Sequence, residues 1–199
     1  MAECIVVTGL PRAGKDWIAL LASEVTGARI LGTDSQREKM VRAGIIPYQS
    51  RYKKVYMQLV YVELIAEAKD TLVNGGSVII HATFCKKENR TRIYNLVREL
   101  GVLLHIINVE CDEEVIKRRT EKGIPLKGGG ATGSGLPSVY YPADYSEAGW
   151  DVYQAIKEAS VPVENADLVI DGSLYSVENM NILNTYFNAD RTPLLPFLA

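Results

Sequence analysis

Residues 9–15, Gly-Leu-Pro-Arg-Ala-Gly-Lys, keep the spacing G-x-x-x-x-G-K. They follow the apolar run CIVVT (4–8) and precede WIALLASEVTG (17–27), which reads as a helix closed by Gly27. A strand, a glycine-rich turn and a helix in that order leave few folds open. Glycines let the backbone curl so that successive N–H groups point inward, and the helix adds its positive end. Lys15 supplies an ammonium group for charge that builds during phosphoryl transfer. Gly9, Leu10, Pro11, Arg12, Ala13, Gly14 and Lys15 are therefore expected to cradle a polyphosphate. The alternative is a glycine turn with no ligand. Asp16 stands where such a loop normally carries a hydroxyl. Its carboxylate either contacts magnesium, being a hard oxygen donor, or caps the helix.

The rest of the chain alternates short apolar runs with helical periods, which predicts an α/β fold with a parallel sheet covered on both faces. ARIL (28–31), SVIIHATF (77–84), VLLHIINVE (102–110) and ADLVIDGS (166–173) read as strands. Residues 35–73 read as mostly helical. Val55, Leu59, Val62, Ala66 and Val73 are expected inward, with Lys69 the break in the stripe. Helix is also expected at 87–100, with Ile93, Leu96, Val97 and Leu100 inward. Further helices are expected after Asp112 as cap, at 146–158, and at 176–187. Residues 122–145 are rich in glycine and proline without a period, which predicts a lid or mobile segment. The tail RTPLLPFLA is expected on the surface or in a groove.

The 199 residues suit a single domain spanning 1–199, and the net charge of −2 does not favour a broad nucleic-acid surface. No apolar run reaches the length of a membrane span, and the N-terminus lacks a secretory pattern, so the cytoplasm is the expected location. Cys4, Cys85 and Cys111 lack zinc-site spacing and are expected as free, buried thiols.

The Gly9–Lys15 loop, TDSQR after the second strand, GGSVIIHATF, Arg90, KRRTEKG before the loose segment, and ADLVIDGS together resemble the small P-loop kinases. The nearest group looks like the zeta-toxin and polynucleotide-kinase-like branch. The resemblance implies a three-layer α/β/α fold with a five-stranded parallel sheet and a mobile lid. It implies ATP with Mg2+, and phosphoryl transfer to a small-molecule or nucleotide-like acceptor held over 35–73. Asp34 matches the acid that activates the acceptor hydroxyl; a helix cap is its other reading. With Asp16, it is the expected metal contact. Arg37 and Arg90 match acceptor-side positions, against a solvated helix charge for Arg37. Arg118 and Arg119 match arginines that serve the nucleotide and the transferring group, against surface salt bridges. Asp171, Gly172 and Ser173 match the turn beside the adenine, against an ordinary strand-ending turn. His81 stands where this family usually has an acid, and either donates to phosphate or is a core residue. His105 is expected to be structural.

Two departures, Asp16 for a hydroxyl and His81 for an acid, therefore fall near one metal site. Either they compensate each other in a working kinase, or the chain is an inactive nucleotide sensor. A toxin-type kinase acting on a sugar nucleotide is a further reading. A nucleic-acid end as acceptor and the oligomeric state stay open. Lys15, Asp34 and Arg119 are the expected catalytic residues.

Overall fold

The computed structural model describes residues 2–121, 148–173 and 177–189. The expected lid at 122–145 and the tail RTPLLPFLA lie outside the described residues. The strands are β1 (Glu3–Thr8), β2 (Arg29–Gly32), β3 (Val78–His81), β4 (Leu103–Glu110) and β5 (Leu168–Asp171). They form one parallel sheet in the order β2-β3-β1-β4-β5. The helices are α1 (Lys15–Thr26), α2 (Thr33–Arg42), α3 (Lys54–Val73), α4 (Lys87–Leu100), α5 (Glu113–Glu121), α6 (Trp150–Ala159) and α7 (Val177–Asn188). A short 3-10 turn, Tyr48–Ser50, lies between α2 and α3.

Alternate strand residues face opposite sides of a sheet, and both sides here are apolar. Cys4, Val6, Val78 and Ile80 pack with Leu64, Ala68 and Leu72 of α3 and with Ile93, Leu96 and Val97 of α4. Ile5, Val7, Ile79 and Ile107 pack with Ile18, Ala19 and Ala22 of α1 and Leu183 of α7. Two sealed faces explain why the strands read as continuous hydrophobic runs.

The face assigned to α3 is corrected. Val60, Tyr61, Leu64, Ala68 and Leu72 are buried, whereas Val55, Val62 and Val73 are 67%, 45% and 64% exposed. Ala66 is exposed too, and Leu59 is half-buried against Met40, Ile46 and Val60. The helix is apolar on two sides, so periodicity offers two stripes and the sheet selects one. The aromatic contact of Tyr61 with Phe84, 5.8 Å between centroids, lies on the selected side. The 35–73 region is also interrupted. The chain turns at Gly44 (φ 72°), and Pro47 leads into the 3-10 turn.

Two structural expectations hold. Asp112 caps α5, its Oδ1 accepting from the Glu114 amide at 2.7 Å. His105 is buried, with Nδ1 3.0 Å from the Tyr186 hydroxyl and its ring edge-on to Tyr186 and Phe187. All three cysteines are free, but only Cys4 is buried outright, and burial pushes its thiol up to about 12. Cys85 and Cys111 are half-buried, not buried as expected. No helix among the described residues is long and apolar enough to cross a membrane.

Candidate active site

The carboxyl ends of β1, β3 and β2 lie side by side, because Val7 and Gly32 both pair with His81. Ligands in open parallel sheets collect at such ends. The loop leaving β1 supplies Gly9–Lys15, the chain leaving β2 supplies Asp34 and Arg37, and the chain leaving β3 supplies Thr83.

The loop is tightly curled. Gly9 (φ 149°), Arg12 (φ 62°) and Gly14 (φ 99°) all have positive φ. A Cβ on Gly9 would lie 2.3 Å from the Val109 carbonyl oxygen, so the loop presses against β4 at a place only glycine permits. Lys15 is nine-tenths buried and donates from Nζ to the Leu10 carbonyl at 2.8 Å, which holds the ammonium inside the curl. Positive-φ residues, the start of α1 and this ammonium together have the chemistry that suits an anion. The residues fit a polyphosphate.

The turn after β5 closes over the loop. A Cβ on Gly172 would lie 1.9 Å from the Ala13 carbonyl oxygen, so these two backbones approach as closely as chains can. Ser173 donates its amide to Asp171 Oδ1 at 2.7 Å, and its hydroxyl accepts from the Asp112 amide at 3.1 Å. The hydrogen bonds from Ser173, side chain and amide, hold the Asp171 carboxyl below its ordinary value. Arg119 staples this turn to the loop. It donates to the carbonyls of Arg12 (2.9 Å), Gly172 (2.8 Å) and Ser173 (3.0 Å). That geometry gives Arg119 a positioning task at the loop. Arg118, by contrast, is exposed along α5, with Nε 3.4 Å from the Glu114 carbonyl. Arg12 ties the loop to the chain before α6 through the Ala148 carbonyl at 3.0 Å.

Asp34 sits in the first turn of α2, whose N-cap is Gly32, so the cap reading is corrected. Its Oδ1 pairs with Arg37 at 2.7 Å, and the Arg37 side chain is only 7% exposed. This fixes the carboxylate and gives it a cation of its own, which argues against Asp34 as a metal ligand. Tyr61 lies close by. Burial pushes its phenol up to about 12, against the hydrogen bond to Thr83, and the Asp34 charge adds to the rise. On the outer side, Arg37 lies 4.7 Å from the Tyr52 ring. Arg51 lies 3.8 Å from Tyr48 and 4.9 Å from Tyr52.

Asp16 and His81 touch. His81 Nδ1 is 2.8 Å from Asp16 Oδ1. Burial opposes ionisation of Asp16, but the hydrogen bond and charge of His81, with the Lys15 charge, outweigh it and hold the carboxyl below its ordinary value. Asp16 therefore does not cap α1, which has no side-chain cap. Neither reading of His81 anticipated this contact. Gly32 makes it possible, since a Cβ there would lie 2.1 Å from His81 Nε2.

Arg90 is corrected outright. It is buried and donates to the carbonyls of Phe84 (2.8 Å), Val161 (3.0 Å) and Pro162 (3.2 Å). These bonds clamp the segment after α6 to the end of β3, with the guanidinium turned into the protein.

The solved structures that this chain resembles share its fold at low identity. A candidate kinase from Chloroflexus aurantiacus superposes with a TM-score of 0.69 at 16% identity, over 96% of this chain and 99% of that one. A sugar kinase from Janibacter sp. gives 0.59 at 19%, over 96% of each. The APS kinase of Mycobacterium tuberculosis, solved with AMPPNP and APS, gives 0.50 at 19%, over 61% of this chain and 70% of that one. No curated protein sequence matches. A family model described as the AAA domain matches residues 4–122. That is more than half of the chain's 199 residues, and the chain belongs to this AAA domain family.

Proposed function

We propose that the chain is a P-loop phosphotransferase that moves the terminal phosphoryl group of ATP to a hydroxyl on a small, anionic or nucleotide-like acceptor. The observation that carries this reading is the placement of Lys15 inside the curled loop, at the carboxyl end of the sheet from which Asp34 also leaves. The loop amides and Lys15 hold the phosphates and offset the charge on the transferring group. Asp34, fixed by Arg37, accepts the proton of the acceptor hydroxyl. The turn at Asp171–Ser173 borders the loop and supports the nucleotide side. Arg37 and Arg51, layered with Tyr52 and Tyr48, offer charge and flat apolar faces on the acceptor side. The likeness in fold to a sugar kinase and to an APS kinase supports a small acceptor.

The contact of Asp16 with His81 favours a second reading, an inactive nucleotide sensor, because a carboxylate at the metal side of the loop is already engaged. Release of ADP from ATP over a panel of sugars, sugar acids and nucleotides separates the two. Asp34→Asn is expected to lower transfer by roughly 10²-fold or more while leaving nucleotide affinity unchanged. Saturable ATP binding with no transfer to any acceptor would favour the sensor.

A further inference from the structure

The two places where this chain departs from the family pattern are in direct contact. Asp16 replaces a hydroxyl, His81 replaces an acid, and their polar atoms stand 2.8 Å apart. That distance is a hydrogen bond, and it is also close to the spacing of neighbouring ligands on one ion. Two bonds of about 2.1 Å at a right angle put their donor atoms roughly 3 Å apart. The imidazole is held for this: β2 closes against its Nε2 side at Gly32, and Nδ1 faces Asp16.

Magnesium, which the resemblance implies, prefers an all-oxygen shell. A nitrogen donor beside a carboxylate suits first-row transition ions better. We propose that Asp16 and His81 form a divalent-cation site beside the phosphate loop that prefers Mn2+ and similar transition ions to Mg2+. The proposal rests on the nucleotide reading above, since phosphate oxygens and water must complete the shell. Among the described residues, no group of three or more His, Cys, Asp or Glu could hold an ion. Metal and nucleotide therefore bind together: Mn2+ alone binds weakly, and ADP tightens it.

The test uses the full chain with Mn2+ and ADP, followed by electron paramagnetic resonance. Pulsed spectra of the ternary complex are expected to show coupling to an imidazole nitrogen. His81→Asn is expected to abolish that coupling. His81→Asp restores an oxygen donor, and is expected to shift the Mn2+ over Mg2+ preference toward Mg2+ by roughly tenfold. Wild-type spectra need no variant, so a variant that misfolds does not decide the matter. If ADP binds and no nitrogen coupling is seen, the metal assignment is overturned and the phosphate-loop reading stands. If ADP does not bind, with or without Mn2+, both are overturned.

Discussion

Replacing Arg119 with alanine separates two tasks that one side chain could perform, stapling the nucleotide cradle or acting on the transferring group. Its guanidinium donates to three carbonyls, on Arg12, Gly172 and Ser173, at 2.8 to 3.0 Å. A hydrogen bond from a charged donor contributes about 1.5–3 kcal/mol. The three share one half-buried group, and water reaches carbonyls vacated near the surface, so the sum is discounted to about 2–3 kcal/mol. For a chain of this length that lowers the unfolding midpoint by roughly 4–12 °C. Thermal unfolding followed by circular dichroism, without nucleotide, reads this directly. Arg119→Lys keeps the charge but cannot span three acceptors, and should recover less than half of the loss. An Arg119→Ala protein that melts like wild type yet loses transfer would refute the staple and return Arg119 to the reacting group.

Three other perturbations follow from the same contacts. Gly172→Ala places a methyl 1.9 Å from the Ala13 carbonyl oxygen, and should cost about 1–3 kcal/mol by overpacking and weaken ATP binding. Urea unfolding and nucleotide titration measure the two effects. Arg90→Ala removes donors from three carbonyls on two segments and should cost about 3 kcal/mol in urea unfolding. A raised KM at unchanged stability would contradict the clamp. Asp16 is held below the ordinary carboxylate value, so its contribution to stability is complete above the unfolded value and is lost as pH falls through the lower folded value. Asp16→Asn should therefore flatten the acid limb of a stability profile below about pH 4. An acid limb identical to wild type would contradict the pairing with His81.

What was legible in the sequence was local. The G-x-x-x-x-G-K spacing between an apolar strand and a helix identified the loop, and Asp112 before EEVIKRRTE marked a cap that forms. The inward face of α3 was not legible, because valines and alanines occupy both sides and only the sheet chooses between them. Arg90 looked like a ligand-facing charge because its partners at Val161 and Pro162 lie 71 and 72 residues away. The contact of Asp16 with His81 was out of reach for the same reason. It depends on β3 lying beside β1 with Val7 opposite His81, a register that no local pattern encodes. Substitutions at both positions could be noticed separately, and their proximity inferred from the family layout, but not the bond between them.

The central claim is that the loop before α1 grips a polyphosphate with its amides and the Lys15 ammonium. Calorimetric titration of ATP with a divalent cation into wild-type and Lys15→Ala protein tests it most directly. The account predicts saturable binding to wild type and a loss of roughly tenfold or more, about 1.4 kcal/mol, in the variant. Equal affinity in both proteins, or no heat with wild type, would contradict it.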